Sequence, residues 1–368
     1  MRAVKIYTHV LYTLLFFAVS CEIVGEGGPG NGQNNRVPDI SDNWIIPQEE
    51  VIDGGPGKDG IPSIDQPDFA PAGEIDYVEE QRLISAVNVG ESHKAYPHQV
   101  LDWHEIVNDQ IEDLSVAMTY CPLTGTGVAW DRQNVEFGVS GLLFRGNLVP
   151  YDRQTQSRYS QMQIRGVNGP MAGTQMEALP VLQTTWETWK SMYPDSKVLT
   201  TRNTGRQYNY KSYAYGEGYL EEDSATNFPV RHKDDRLPRK KRVHGIIANR
   251  NIDENADVRT YVIDRFAPGI QVIEDRISNQ EFVVVGSRDK NFAMSYLREF
   301  RDGTLLQFEA VQDALPVVMK DQEGNRWDVF GYAVEGPRKG SRLNPTQSYT
   351  GYWFAWVDFF PGLEIFER

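Results

Sequence analysis

The thiol of Cys121 and the imidazole of His104 are the two side chains of this sequence best suited to chemistry. A thiolate is a nucleophile once a neighbouring base has taken its proton, and imidazole is a common base for that step. Both groups are also ligands of zinc and copper. The pair therefore predicts either a catalytic base and nucleophile or part of a metal site. The alternative is that both side chains are buried for structural reasons.

A metal ion needs more than two protein ligands, and His98 is the first candidate for the third, with Glu105, Asp109 and Asp59 as alternatives. His98 and His104 are six residues apart, so they do not share one face of a helix. The sequence has no Cys-x-x-Cys or His-Glu-x-x-His spacing, and the cofactor is left open, with copper and zinc as the candidates. Other side chains that could hold a ligand are Glu105, Asp109, Asp59 and Arg153.

The elements that position these residues are predicted from hydrophobic patterns. SVAMTYCP is an apolar strand that places Cys121 at its end, before a glycine turn. HQVLDWHEIVND is predicted as a short helix carrying His104, because its apolar residues have helical spacing. RLISAVNV and KAYP are predicted to form a hairpin, and QTTWETWKSMYP is a second helix, capped by one of its threonines.

Residues 148–199 resemble residues 317–366, which predicts an internal duplication. A Gly-Pro turn, two tryptophans and a proline recur at one constant offset, and a weaker match aligns SVAMTYCPLTG with EFVVVGSRDKN. The period is longer than that of a solenoid repeat. The predicted fold is strand-rich α+β, with two pseudo-repeated, mainly antiparallel β units that each carry short helices.

The two units are unequal in the residues that could do chemistry. Only the first contains His104 and Cys121, whereas Asp109 aligns with Asp275 of the second. This predicts a structural role for Asp109 and a specialised one for His104. Arg153 aligns with a glutamine, so its guanidinium is dispensable for the fold and available to an anion. We expect the site beside Cys121, with the second unit as a wall.

The composition excludes one class of partner. Of the 368 residues 40% are hydrophobic, and the formal charge is −14. An acidic surface disfavours nucleic acid, which needs clustered cations. The one basic stretch, 231–244, is either an anion patch or a solvated connector. A tyrosine-rich segment before it could stack on sugars or peptides, or pack onto the body.

The N-terminus has the pattern of an export signal. Arg2 and Lys5 precede an apolar run that is too short to span a bilayer and ends in Ala-Val-Ser before Cys21. Small residues before a cysteine resemble a bacterial lipobox, so Cys21 is the predicted lipidation site, and ordinary secretion is the alternative. We expect a cell-envelope protein, held by a lipid anchor to the periplasmic or surface face of a membrane. Cys121 would then be the remaining thiol.

The predicted organisation has six parts. They are a lipoprotein signal peptide (1–20), a flexible tether (21–45), a Gly/Pro-rich wrapping segment (46–77), repeat unit one with Cys121 (78–200), a tyrosine-rich and basic connector (201–242) and a degenerate repeat unit two (243–368). The tether has nothing to bury. The wrapping segment is long and irregular, as functional or surface-covering loops are.

The strings HEIVND, TYCPLTGTGVAWDR and FGVSGLLFRGNLVPYDRQTQS resemble a bacterial family known as domain of unknown function 3179. GGPGKDGIPSIDQPDF upstream and DDRLPRKKRVHGI downstream extend the resemblance over about residues 45–368. The resemblance implies no activity. The resemblance implies a second cysteine in many relatives where this chain has Thr124, and this difference argues against dithiol chemistry here.

The leading hypothesis is a lipid-anchored envelope protein with a metal- or thiol-dependent site in the first unit, acting on an unknown small molecule. The alternative is a non-catalytic binding or scaffold lipoprotein that recognises a glycan or another envelope protein. The sequence leaves open whether the protein is an enzyme.

Overall fold

The computed structural model describes residues 43–248 and 252–367, all within one compact unit. Cys21, the predicted signal peptide and nearly all of the predicted tether lie outside the described residues. The strand-rich α+β class is confirmed, with short helices and mostly antiparallel sheets. None of the helices in these two ranges has the length and apolar composition that crossing a bilayer requires.

The first half of the body, residues 43–200, contains two α-helices. Its elements in order are β1 Val51–Asp53, β2 Phe69–Pro71, β3 Leu83–Val89, β4 Ser92–Pro97, α1 His98–His104, β5 Ile106–Ile111, β6 Leu114–Cys121, β7 Thr126–Asp131, β8 Phe137–Phe144, β9 Asn147–Asp152, β10 Arg158–Ser160, β11 Arg165–Asn168, β12 Ala178–Leu179, β13 Leu182–Thr185, α2 Trp186–Met192 and β14 Lys197–Leu199.

The remaining elements belong to the connector and the second half. They are α3 Glu217–Glu221, β15 Arg242–Ile247, β16 Val258–Val262, β17 Gln271–Ile277, β18 Gln280–Ser287, β19 Phe292–Leu297, β20 Phe308–Ala310, β21 Val317–Asp321, β22 Arg326–Asp328, β23 Ala333–Glu335, β24 Ser348–Tyr352, α4 Trp353–Phe359 and β25 Glu364–Ile365. Single 3-10 turns lie at Gln48–Glu50, Ala72–Glu74 and Ile263–Arg265.

The sheets of the two halves have similar strand orders. In the first half β13–β3–β4–β14–β2 form one sheet, and β14 runs parallel to β4. In the second half the order is β24–β15–β16–β25, and β25 runs parallel to β16. A second sheet contains β7–β6–β5 in one half and β19–β18–β17 in the other. The duplication itself stays a prediction.

The predicted helices differ in how well they match the structure. Helix α2 begins as predicted, with Thr185 accepting a hydrogen bond from the Thr188 amide. The segment predicted as one helix from His98 to Asp109 is wrong in its second part. The helix ends at His104, because Glu105 has a φ of +56° and the β-branched residues after it pair with β6 instead.

The halves meet through their hairpin tips. The Tyr352 amide, at the end of β24, donates to the Thr124 carbonyl in the β6–β7 loop at 2.8 Å. In the opposite direction, the Thr184 hydroxyl of β13 donates to the Lys290 carbonyl in the β18–β19 loop at 2.6 Å. Segment 46–77 lies along the first half, where β1 pairs with β8 and β2 with β14.

Candidate functional site

Cys121 is the last residue of β6 and pairs with Thr126 across a four-residue loop, 122–125. All four loop residues are buried. Gly125 closes the loop with a φ of +64°, and a Cβ there would stand 2.9 Å from the ring of Tyr352. Only glycine meets both demands without strain.

Tyrosines from the connector cover this loop and bind its carbonyl groups. The Tyr213 hydroxyl donates to the Pro122 carbonyl at 2.9 Å, and the Tyr219 hydroxyl donates to the Leu123 carbonyl. We call Tyr213, Tyr215 and Tyr219 the tyrosine cover. Because a buried carbonyl without a donor is costly, the cover satisfies a need that the buried loop creates.

The thiol of Cys121 is enclosed. The residue is 1% exposed, and its Sγ lies 3.9 Å from the Gly146 carbonyl oxygen, a weak hydrogen bond. Burial, together with the charge of Glu105, raises the pKa of the Cys121 thiol to about 11. At neutral pH the enclosed thiol is therefore protonated and unreactive.

Glu105, not His104, is the ionisable neighbour of this thiol. Its side chain is buried, and burial raises the pKa of the carboxyl to about 7. The Tyr215 hydroxyl donates to Glu105 Oε1 at 2.8 Å. Burial raises the pKa of Tyr215 strongly, and the charges of Glu105 and Cys121 raise it further, so Tyr215 lies close to both groups.

His104 is occupied elsewhere. Its Nδ1 is 2.8 Å from the Pro62 carbonyl oxygen and its Nε2 is 2.8 Å from the Tyr210 hydroxyl. Burial lowers the pKa of His104, so the ring is neutral at pH 7. With both nitrogens bonded, the imidazole is not the base for Cys121. The predicted pairing is corrected, because the wrapping segment and the connector hold His104.

The predicted copper or zinc ligands are not brought together either. His98 Nε2 is 2.9 Å from the Ser85 hydroxyl, and its ring packs on Tyr120. Burial lowers the pKa of His98 far below its ordinary value. Within the two described ranges, no three His, Cys, Asp or Glu side chains are grouped as a metal site would require.

Asp109 has a structural role, and the second half shows the same arrangement. Its carboxylate accepts from Lys94 Nζ at 2.8 Å and from the Tyr96 hydroxyl at 2.6 Å. Asp275 accepts in the same way, at 2.7 Å from Arg259 and at 2.5 Å from the hydroxyl of Tyr261. The carboxylate holds a strand pair in both halves, so the ligand-binding prediction for Asp109 is not supported.

Arg153 and Asp59 bind each other on the surface. Arg153 Nη1 is 3.4 Å from Asp59 Oδ2, and its Nη2 donates to the Ser63 hydroxyl at 2.9 Å. A second carboxylate, Asp65, lies 3.5 Å from the same guanidinium. The acids of the wrapping segment therefore neutralise the cation that was predicted to serve an anion.

Asp102 is a site residue that sequence reasoning missed. It is 7% exposed and makes no side-chain hydrogen bond within the described residues, and its Oδ1 is fully buried. Burial raises the pKa of Asp102 well above its ordinary value, and its charge raises those of Tyr213 and Tyr215. It therefore shares the space beneath the tyrosine cover with Glu105.

A signal for Glu105 existed in the sequence. The Tyr120 amide donates to the Glu105 carbonyl, and the register of the second half pairs Gln271 with Gly286. In the alignment of SVAMTYC with EFVVVGS, Gly286 corresponds to Tyr120. Gln271, which pairs with Gly286, therefore corresponds to Glu105. The comparison of the two halves that singles out His104 also singles out Glu105, because the second half has an amide, Gln271, in place of this acid.

Residues 58–363 match the family described as "Protein of unknown function (DUF3179)". The chain belongs to this family. No curated protein and no solved structure matches the chain significantly. In this DUF3179 member, the threonine after Leu123 bonds to Thr126 at 2.9 Å, and its side chain lowers the pKa of the Cys121 thiol, which burial raises. Position 124 is thus adjacent to the thiol.

Proposed function

We propose that the protein is a thiol-dependent cell-envelope protein in which Cys121 is the reacting group and Glu105 accepts its proton. The observation that supports this most directly is the difference between the halves. Cys121 and Glu105 stand where the second half has Ser287 and Gln271, which are not ionisable at neutral pH. Burying a thiol and a carboxyl together costs stability, so their presence in one half calls for a use.

The enclosed state is a resting state. The pKa of Cys121 is about 11 and that of Glu105 is about 7, so moving the proton costs at most roughly 5 kcal/mol while the cover is closed. Water or a polar substrate beneath the cover lowers that cost, since it solvates the thiolate. We infer that reaction requires the tyrosine cover to open, and that Asp102 faces whatever enters.

The test is the alkylation rate of Cys121 in the full chain with iodoacetamide, with Cys121→Ser as the blank. We expect the thiol to react well below the denaturant concentration that unfolds the protein. Glu105→Gln should slow this reaction at pH 7 by roughly tenfold or more, since general bases contribute at least that much. The matched control is Glu79→Gln, because Glu79 is exposed.

Two results would reject the thiol proposal. One is a thiol that reacts only as fast as the whole protein unfolds. The other is a Glu105→Gln variant that reacts as fast as the wild type or faster, because removing a nearby negative charge lowers the pKa of the thiol when no base is lost.

Attachment to a membrane through Cys21 is part of the same proposal. Its support is the lipobox-like sequence before Cys21. Incorporation of labelled fatty acid should be lost in Cys21→Ala and kept in Cys121→Ser. Label that persists in Cys21→Ala would leave ordinary secretion as the explanation.

A binding or scaffold role through the tyrosines has less support. The hydroxyls of Tyr213, Tyr215 and Tyr219 are bonded to the body of the protein. The rings of Tyr213 and Tyr219 are also buried, so neither offers an open face on which a sugar could stack.

A further inference from the structure

A cleft of about 460 Å³ opens where the basic stretch of the connector meets the exposed hairpin of the second half. The thiol proposal does not use it. Its lining includes four cationic side chains: Lys240, Lys241, Arg242 and Arg288. This is unexpected on a chain with a formal charge of −14.

Arg242, the first residue of β15, is half-buried and has spare hydrogen-bond donors. Its Nη1 donates to Asn291 Oδ1 and its Nη2 donates to Gln183 Oε1 at 3.3 Å. A guanidinium has five N–H donors, so these two bonds leave three without an acceptor among the described residues. Both acceptors are neutral amides, and burial lowers the pKa of Arg242.

Lys240 adds a second charge, which lies near the carboxylates of Asp223 and Glu222 but forms no ion pair with them. Its Nζ donates to the backbone carbonyls of Tyr219 and Glu222, and it lies 3.8 Å from the centre of the Tyr219 ring. These contacts fix the ammonium without cancelling its charge. Arg288 stands exposed, with only its neighbour Asp289 at 3.3 Å.

Most of the acidic side chains of the cleft are already engaged. Asp264 is paired with Lys241 at 2.6 Å. Asp223 accepts the backbone amides of Arg239 and Lys240 at 2.9 and 2.8 Å. Glu221 is exposed. The lining holds four cations and three acids, and among the described residues no carboxylate bonds to Arg242.

We propose that this cleft binds a phosphate group, with Arg242 holding it by its unused donors and Lys240 and Arg288 adding charge. A guanidinium fork matches the oxygens of phosphate, and a lysine serves as a point charge beside it. The phosphate belongs either to a small soluble phosphate or to the headgroup of an anionic lipid. This proposal does not depend on the reactivity of Cys121.

The cleft also adjoins the proposed thiol site. The charge of Arg242 lowers the pKa values of Tyr120 and Tyr352, which the charge of Cys121 raises. An anion on Arg242 would weaken that effect. The two proposals can fail separately.

The experiment is calorimetric titration of the full chain at low ionic strength with inorganic phosphate and with glycerol phosphate. Parallel flotation assays use vesicles of phosphatidylcholine with and without phosphatidylglycerol. We expect Arg242→Gln to weaken binding by roughly tenfold to a hundredfold, because a hydrogen bond to a charged group is lost. Arg242→Lys should lose less, and Arg288→Ala only a few-fold.

The matched control is Arg301→Ala, since Arg301 is an exposed arginine outside the cleft lining. Binding of the soluble phosphates identifies a metabolite-type ligand, and binding confined to phosphatidylglycerol vesicles identifies a lipid headgroup. Either result supports the proposal if Arg242→Gln weakens the binding by the expected factor. Failure of all these probes at millimolar concentration overturns it, and so does equal loss in Arg301→Ala. If Arg242→Gln does not fold, as thermal unfolding will show, Arg288→Ala and Lys240→Ala decide in its place.

Discussion

The β6–β7 and β18–β19 hairpins have the same backbone and opposite surroundings. Each turns through four residues, 122–125 and 288–291, and each has a positive φ at the fourth, +64° at Gly125 and +54° at Asn291. The first loop is buried beneath the tyrosine cover, whereas residues 288–290 of the second are exposed. The hairpin itself therefore does not need a buried tip.

The residues beside the tips show what the burial adds. In the second half Ser287 donates to the Pro268 carbonyl at 2.7 Å, and Gln271 accepts from the Ala267 amide at 2.8 Å. Those are ordinary structural contacts. In the first half the same positions hold Cys121 and Glu105, whose pKa values are both raised by burial. The difference indicates a first tip shaped for function at a cost in stability.

The largest effect should come from truncating the buried tip. Leu123→Ala should lower the free energy of unfolding by roughly 2–5 kcal/mol, because Leu123 is 3% exposed and leaves a cavity. Asp289→Ala, at the same place in the exposed loop, should change it by less than about 0.5 kcal/mol. Denaturant unfolding measures both, and equal effects would show that the tips do not differ in packing.

Replacing Glu105 by glutamine, the residue at this position in the second half, should remove a pH dependence of the free energy of unfolding. The folded pKa of Glu105, about 7, exceeds its ordinary value of 4.5. The folded protein therefore keeps a proton that the unfolded chain has lost. The contribution of this proton to the free energy of unfolding is complete below pH 4.5 and is lost as the pH rises through 7. Glu105→Gln should match wild type at pH 4 and be more stable at pH 8 by up to ~3 kcal/mol.

That comparison is made by denaturant unfolding across pH 4–8, with Glu79→Gln as the exposed control. The control should follow the wild-type curve throughout. A Glu105→Gln variant parallel to wild type would mean that the carboxyl is solvated and the first tip is less closed than its geometry indicates.

The smallest effect should come from removing one hydroxyl of the tyrosine cover. Tyr213→Phe leaves the Pro122 carbonyl without its donor and should cost about 1–2 kcal/mol. It should also speed alkylation of Cys121, since opening the cover becomes easier. Tyr332→Phe is the matched control, because Tyr332 is half-buried in the second half. Equal costs would argue that the cover does not hold the loop.

Local structure could be predicted from the sequence where neighbouring residues decide it. The hairpin of β3 and β4, strand β6 and helix α2 follow from alternation, glycine turns and a threonine cap. The helix predicted from the sequence is longer than α1, because Val107 fits a helical pattern and a strand pattern equally well. These residues form strand β5 because they pair with β6, and the pattern of residues 98–109 alone contains no information about that partner.

The site could be predicted only in part, because distant segments orient its side chains. Cys121 and the loop after it were found. His104 was assigned the wrong neighbour, since Pro62 and Tyr210, which bond its ring, are 42 and 106 residues away in sequence. The tyrosine cover comes from a connector whose tyrosines also fit an exposed binding surface. Composition could not choose between these roles.

The hydrogen bonds that join each hairpin tip to a strand of the other half have a consequence for the folding of the chain. Thr124 accepts from the amide of Tyr352, and Lys290 accepts from the hydroxyl of Thr184. Each half thus satisfies hydrogen-bonding groups of the other. Deleting either half, or expressing one alone, would leave those groups of the remaining half without their partners. The second half, which has Ser287 and Gln271 at the positions of Cys121 and Glu105, is therefore needed as a partner in folding even though it lacks these two groups.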